Sequence, residues 1–414
     1  MLTSTSTSLF ALIAALVLQA CLWQVPAASG LPGCARDLER EAQGRGISVE
    51  LFEDLEELTR LVDISYCVGS SGLYKPFRCL SHCSEFGGFE LITTWNTGPL
   101  LSDSCGYIAL SHPPFAKRII VAFRGTYSIT NAIVDLAIMP QAYVPYPPVD
   151  DGEPSAQNSC LNCTVHAGFL KSWNDSRTIV LPAVLDARAQ YPDYDIVLVG
   201  HSLGGAVAAL AGLEMHLRGL NPRVTTFGEP RIGNRALEHF IDTVFNLTGS
   251  ESRPGPDTNQ TTIPFRRVSH INDPVPLLPL EEWGYEMHAG EIYISKPALP
   301  PSVSDLEHCD GDTDPHCISG TDNLHERRLQ LWTALLQTDD DDEGIFRRHP
   351  PVAAAEETQM QRIFSRAKSD DIEQSLSLIP VRFRLWELLF AHRDYFWRLG
   401  LCVPGGDPGS WRWF

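Results

Sequence analysis

Positive charge is scarce in this sequence of 414 residues. It has 32 Lys and Arg against 51 Asp and Glu residues, which gives a formal net charge of −19. Proteins that bind nucleic acid need basic surface to neutralise phosphates, so the charge argues against that class of function. The same charge weakens attraction to anionic membrane surfaces and favours an uncharged substrate. No obligate protein partner is implied.

Long hydrophobic runs are also missing, except at the N-terminus. Residues 9–23 read LFALIAALVLQACLW, and the small residues Ala27, Ala28 and Ser29 follow them. This arrangement is typical of a secretory signal peptide, and we predict that residues 1–29 form one and that the protein is extracellular. The segment before the run contains no Lys or Arg, so a retained signal anchor is the alternative. No other stretch is able to span a bilayer.

Cysteine usage agrees with export. The chain has eleven cysteines, and loss of the signal peptide removes Cys21 and leaves an even number, which suggests disulfides. Three pairs are close in sequence: Cys79 with Cys83, Cys160 with Cys163, and Cys309 with Cys317. The other four can pair in three ways: Cys34, Cys67, Cys105 and Cys402. A zinc site at Cys160 and Cys163 lacks a second pair of ligands, so no metal is implied. Four Asn-x-Ser/Thr sequons also fit secretion: Asn162, Asn174, Asn246 and Asn259.

Strand-like and helix-like patterns alternate along most of the chain. The fully apolar run at 196–199 is typical of a buried central strand, and an Ala- and Leu-rich helix is predicted at 203–218. A further strand and helix are predicted at 224–227 and 235–246. This alternation predicts an α/β fold in which helices cover both faces of a sheet.

The composition changes after Gln337. An acidic run at 339–344 is typical of a solvated linker, and the segment beyond it is rich in Arg, Leu, Trp and Phe. We therefore predict one catalytic domain at 30–338, followed at 339–414 by a linker and a tail. Apolar residues from Leu385 to Leu399 recur at helical spacing, which predicts an amphipathic helix in the tail. We expect this tail to be dispensable for chemistry. Its helix binds a lipid surface, docks on the catalytic domain, is removed by a protease after Arg348, or comes from an incorrect gene model.

The motif Gly-His-Ser-Leu-Gly-Gly at 200–205 is the strongest chemical signal. A predicted buried strand precedes it and a helix of small residues follows, as a nucleophile elbow requires. Glycines are needed there because the serine occupies a strained turn in which neighbouring side chains would collide. We predict that Ser202 is a nucleophile. The backbone N–H of Leu203, the next residue, is then one donor of an oxyanion hole.

A serine nucleophile needs a base, and the base needs an acid that orients it. In α/β hydrolases these partners follow in the order Ser, acid, His. Asp273 directly follows a predicted strand and is the best acid. The pattern alone does not select the base, because six histidines follow Asp273: His288, His308, His316, His325, His349 and His392.

Six motifs in order resemble the fungal class 3 lipases, a family that includes feruloyl esterases. They cover residues 47–337 and comprise VAFRGT at 121–126, Asn131 with Asp135, VHAGF at 165–169, the elbow, FGEPRIGN at 227–234 and NDPVP at 272–276. The resemblance implies an α/β-hydrolase fold with a central, mostly parallel sheet and a lid over the active site.

The resemblance also assigns roles to single residues. It supports Asp273 as the triad acid and points to His325, after the last predicted strand, as the histidine. His288 corresponds to a structural position in the family. Thr126 corresponds to the second donor of the oxyanion hole, with its hydroxyl assisting. The aromatic residue that usually follows the family's histidine closely is absent after His325.

The resemblance places the lid after Thr126. An apolar stripe there predicts a helix that responds to lipid surfaces, and ordinary core packing is the alternative. The predicted lid residues are Ile129, Asn131, Ile133, Val134 and Leu136. The apolar stripe favours a lipase that hydrolyses neutral glycerides, such as triacylglycerol, at a lipid–water interface. The alternatives are an esterase of aryl, feruloyl or short-chain esters, a phospholipase A1, and a secreted binding protein with a silent site. No cofactor is implied.

Overall fold

The computed structural model describes residues 45–98, 104–126, 136, 143–145, 160–248, 259–311, 313–321 and 390–403. The helices within these ranges are α1 (Val49–Ser65), α2 (Ala167–Gln190), α3 (Leu203–Leu217) and α4 (Arg235–Phe245). Short 3₁₀ helices lie at His82–Glu85, Gln260–Thr262, Val275–Leu277, Glu281–Trp283, Val303–Asp305 and Ile318–Thr321. None of the described helices is long and apolar enough to cross a membrane.

Twelve strands occur in the described ranges. They are β1 (Phe89–Asn96), β2 (Cys105–Ser111), β3 (Arg118–Phe123), β4 (Tyr143–Pro145), β5 (Thr164–His166), β6 (Asp195–His201), β7 (Arg223–Phe227), β8 (Gly233–Asn234), β9 (Phe265–His270), β10 (Tyr285–Glu286), β11 (Glu291–Ile294) and β12 (Leu306–His308). The α/β fold and the alternation of strands and helices predicted from the sequence are confirmed.

The main sheet has the order β1-β2-β3-β6-β7-β9-β11-β12. The five strands from β3 to β11 pair in parallel, whereas β1, β2 and β12 pair antiparallel at the edges. Every residue of β3 is buried, as is every residue of β6 after Asp195. Such continuous burial is what a parallel sheet covered on both faces produces. The carboxyl ends of the central strands therefore meet at one edge, where α/β proteins place their sites.

Two apolar clusters fill the two faces of the main sheet. One packs α2, α3 and α4 against one face, and the other packs α1 against the opposite face. Helix α1 begins after Ser48, whose hydroxyl accepts a hydrogen bond from the Leu51 N–H at 3.1 Å. A second, antiparallel sheet with the order β10-β8-β5-β4 was not predicted, because its strands have only two or three residues.

The C-terminal segment 390–403 packs onto the α/β domain, contrary to the expectation of a separate tail beyond residue 338. Tyr395, Phe396 and Leu399 are buried in the cluster that contains α1. The Gly400 N–H donates to the Asp63 carboxylate at 2.8 Å. The described residues from Arg45 onward accordingly belong to one compact unit.

The predicted amphipathic helix is wrong for most of the described tail. Only Phe390 and Ala391 are helical, and turns and bends follow. The apolar spacing in this segment reflects burial against α1, since tertiary contacts override helical periodicity.

All three disulfides predicted from close spacing are present. Of the four cysteines left open, Cys67 pairs with Cys402, Cys105 is free and buried, and Cys34 lies outside the described residues, as does the predicted signal peptide. The Cys67–Cys402 bond joins the end of α1 to the C-terminal segment across 335 residues. The asparagines of all four sequons are exposed.

Candidate active site

Ser202 lies in a sharp turn between β6 and α3. Its φ of 59° and ψ of −131° are strained for a residue with a side chain, as a nucleophile elbow requires. A Cβ atom on Gly200 would lie 2.1 Å from the Gly204 carbonyl oxygen. Only glycine fits there, which is the steric reason for the Gly-x-Ser-x-Gly spacing. Helix α3 begins at Leu203, whose N–H has no partner within the helix.

Asp273 is completely buried just beyond the carboxyl end of β9. It accepts hydrogen bonds from the Tyr395 hydroxyl at 2.5 Å and from the Val275 N–H at 2.9 Å. Burial alone would raise the pKa of this carboxyl group, but His392 and the hydrogen bonds outweigh burial and hold the pKa below its ordinary value of 3.8. Asp273 is therefore ionised at neutral pH.

His392, on the C-terminal segment, is the imidazole that contacts Asp273. Its Nδ1 lies 3.0 Å from both carboxylate oxygens, and its ring is completely buried. A carboxylate only accepts hydrogen bonds, so Nδ1 carries the proton and Nε2 of the neutral ring is left as an acceptor. Nε2 is buried and has no partner among the described residues. Such a nitrogen is suited to take a proton from a hydroxyl group.

The elbow and the Asp273–His392 pair meet at the end of β7. The Ser202 N–H donates to the Phe227 carbonyl at 2.9 Å. A Cβ atom on the next residue, Gly228, would lie 2.9 Å from both Asp273 Oδ2 and His392 Cε1. His201, directly before Ser202, stacks on the His392 ring with 4.6 Å between centroids. The three residue types of a hydrolase triad therefore come together at the carboxyl ends of β6, β7 and β9.

The loop after β3 lies against the elbow. A Cβ atom on Gly125 would lie 2.9 Å from Ser202 Cβ, so the backbone of this loop approaches the serine closely. The Thr126 hydroxyl oxygen is buried and has no hydrogen-bond partner within the described ranges. The loop after β3 and the start of α3 therefore place potential hydrogen-bond donors on two sides of Ser202, as stabilisation of an oxyanion requires.

Some predicted site residues lie outside the described residues. They are the predicted base, His325, and four of the five predicted lid residues, Ile129, Asn131, Ile133 and Val134. Leu136 is described, and it is buried in the apolar cluster that contains α2 and α3. The other predicted residues are described, and they follow the ends of three central strands: Thr126 follows β3, Ser202 and Leu203 follow β6, and Asp273 follows β9.

Two other described histidines that follow Asp273 have different environments. His288 bonds to the Ala289 carbonyl and lies 3.2 Å from Glu229, and the His308 ring lies 3.4 Å from Gln260. Sequence reasoning did not select His392, because 339–414 was set apart as a tail. One signal was available: His392 is followed after two residues by Tyr395, an aromatic residue of the kind that is missing after His325.

Comparison with known proteins identifies the family of this chain. A family model described as "Lipase (class 3)" matches residues 120–283. A secreted mono- and diacylglycerol lipase from Gibberella zeae is 50% identical over 89% of this chain and 86% of its own. Lipase A from Sodiomyces alcalophilus is 49% identical over 88% of this chain and 85% of its own.

The fold has solved relatives as well. The crystal structure of the Lip2 lipase from Yarrowia lipolytica superposes with a TM-score of 0.60 at 32% identity, covering 68% of this chain and 91% of that one. It shares the α/β-hydrolase architecture that the sequence predicted. By its identity to these relatives along most of its length, the chain belongs to the class 3 lipase family and is a carboxylic ester hydrolase.

Proposed function

We propose that this protein is a secreted acylglycerol lipase in which Ser202, His392 and Asp273 form the catalytic triad. The observation that carries the proposal is the buried Asp273–His392 pair beside the strained elbow of Ser202. His392 takes the role for which the sequence suggested His325. It is the only histidine in the described part of the chain that hydrogen-bonds to Asp273.

The reaction is acyl transfer in two steps. His392 Nε2 removes the Ser202 hydroxyl proton as Oγ attacks the ester carbonyl, and the protonated ring then delivers that proton to the departing alcohol. Water attacks the acyl-enzyme by the same route and releases the fatty acid. Asp273 stabilises the imidazolium that forms in each step, and it stays ionised throughout.

The developing oxyanion is held from two sides. The backbone N–H groups of Leu203 and Thr126 donate to it, and the unpartnered Thr126 hydroxyl adds a third donor. Removing one such donor from comparable hydrolases lowers kcat by roughly 10²- to 10³-fold.

The substrate class follows from the relatives and from the apolar segment after Thr126. The 50% identical relative is named a mono- and diacylglycerol lipase, which supports neutral glycerides as substrates. Ser202 is only 2% exposed, which supports a segment that moves before substrate reaches it. We infer that the segment with Ile129, Asn131, Ile133, Val134 and Leu136 is this lid and that it opens at a lipid–water interface. Disulfides, exposed sequons and the name of the secreted relative support secretion.

A substrate panel tests the proposal. It compares emulsified mono-, di- and trioleoylglycerol with phosphatidylcholine vesicles, a feruloyl ester and a dissolved short-chain ester. Ser202→Ala should lower ester turnover by a factor on the order of 10⁶ and abolish labelling by a fluorophosphonate. The exposed Ser304→Ala is the matched control and should behave as wild type. Faster turnover of the feruloyl ester or the phospholipid than of any glyceride would contradict the substrate class.

A further inference from the structure

His201, which precedes the candidate nucleophile, makes contacts that the triad itself does not require. Its Nε2 lies 2.7 Å from the backbone carbonyl oxygen of His392, and its ring stacks on the His392 ring at an interplanar angle of 29°. Both rings are completely buried. His201 therefore contacts the backbone and the side chain of the candidate base at the same time.

The tautomer of His201 follows from its partners. A carbonyl oxygen only accepts, so His201 Nε2 carries a proton and donates it to His392. The Tyr66 hydroxyl lies 2.6 Å from His201 Nδ1, which therefore accepts from Tyr66. Burial is the main cause that holds the pKa of His201 well below 6.5, and the neighbouring His392 lowers it further. The ring therefore stays neutral. One tautomer satisfies both hydrogen bonds.

Tyr66 is itself fixed by the fold. It follows α1 directly, it is completely buried, and its neighbour Cys67 forms the disulfide to Cys402. A Cβ atom on Gly125 would lie 2.4 Å from the Tyr66 hydroxyl, so this hydroxyl also contacts the loop that leads to Thr126. A continuous chain of contacts thus runs from α1 through Tyr66 and His201 to His392.

We propose that His201 is a positioning residue for His392 and that Tyr66 holds His201 in the tautomer that this role requires. The proposal rests on the proposed function, in which His392 is the general base. Asp273 fixes only the Nδ1 side of the His392 ring. The stack with His201 fixes the plane of the ring, and the hydrogen bond fixes the backbone that carries it. Displacing a catalytic group by about 1 Å can lower the rate roughly 10²-fold.

Three variants separate positioning from simple filling of space. His201→Phe keeps an aromatic ring but loses both hydrogen bonds, and it should lower kcat for a dissolved short-chain ester by about 10²-fold with little change in KM. His201→Gln keeps one donor and one acceptor and should recover about tenfold of that loss. Tyr66→Phe should lower kcat by about tenfold while His201 is intact. Fluorophosphonate titration counts the folded active sites in each sample.

His288→Phe is the matched control, because His288 is equally buried and hydrogen-bonded but lies against Glu229. It should lower the melting temperature and leave kcat per titrated site unchanged. The downfield proton resonance of His392 Nδ1–H gives a second readout, which should broaden in His201→Phe and persist in His288→Phe.

The results distinguish a failure of the positioning role of His201 from a failure of the proposed function. If His392→Ala is inactive while His201→Phe keeps kcat per site within about threefold of wild type, the positioning role is wrong and the triad stands. If His392→Ala is active, the proposed function itself is wrong. If His201→Phe does not fold, Tyr66→Phe decides, and an unchanged kcat in that variant overturns the proposal.

Discussion

At the scale of single residues, Asp273 determines how the candidate site depends on pH. Burial raises the pKa of this carboxyl group, but the charge of His392 and the hydrogen bonds from His392, Tyr395 and the Val275 N–H outweigh burial and keep the pKa low. A group whose pKa is depressed by folding stabilises the protein fully above its unfolded pKa. That stabilisation is lost as the pH falls below the unfolded pKa of about 3.8 and then through the lower pKa that Asp273 has in the folded state.

Tyr395→Phe tests this dependence, because it removes only the hydroxyl that donates to Asp273 Oδ2. Hydrogen bonds to charged groups contribute about 1.5–3 kcal/mol, so the free energy of unfolding at pH 7 should fall by about that amount. The pKa of Asp273 should rise. The difference in the free energy of unfolding between variant and wild type should therefore narrow as pH falls below 3.8. Urea unfolding at several pH values measures both effects. If the difference in the free energy of unfolding widened at low pH, a depressed pKa for Asp273 would be contradicted.

At the scale of elements, the sequence predicted the parts of the site that form from consecutive residues, and it missed the role of the segment 390–403. The elbow and the Asp273 turn were predictable, because each consists of consecutive residues next to a strongly patterned strand. His392 was missed despite the aromatic residue that follows it, because its role depends on contacts with Asp273 and His201, which are remote in sequence. Spacing alone left the pairing of Cys67 open, and the Cys67–Cys402 bond is what ties this segment to the domain.

Replacing both Cys67 and Cys402 by Ala should weaken the attachment of His392. A disulfide that closes a long loop typically contributes about 2–5 kcal/mol, so the free energy of unfolding should fall by that amount. The kcat per titrated site should also fall, since His392 loses an anchor ten residues away. The matched control replaces Cys79 and Cys83, whose bond spans only four residues. We expect a smaller loss of stability and an unchanged kcat for this control. If replacing either pair of cysteines lowered stability and kcat equally, the anchoring role would be contradicted.

At the scale of the whole molecule, substrate must reach a buried nucleophile. The nucleophile is 2% exposed, and the net charge of −19 does not favour anionic surfaces. Approach to a lipid phase therefore depends on apolar contact rather than on charge. Residues 128–140 carried the apolar stripe from which a lid was predicted, and the buried Leu136 is equally suited to ordinary core packing.

The double variant Ile133→Ser with Leu136→Ser separates these two roles. A lid should make turnover of emulsified trioleoylglycerol fall while turnover of a dissolved short-chain ester changes little. Ile179→Ser with Leu185→Ser is the control, since both residues are exposed on α2. The double variant and its control are assayed on both substrates. Equal losses of turnover on the two substrates would show that the stripe is part of the core.

The central claim is that His392, supplied by the C-terminal segment, is the base that activates Ser202. The most direct measurement compares kcat per folded protein for His392→Ala and His325→Ala on a dissolved short-chain ester. The account predicts a loss on the order of 10⁴- to 10⁶-fold for His392→Ala and near wild-type activity for His325→Ala. Circular dichroism spectra that match wild type would establish that both variants are folded. The reverse ranking, with His325→Ala inactive and His392→Ala active, would contradict the account.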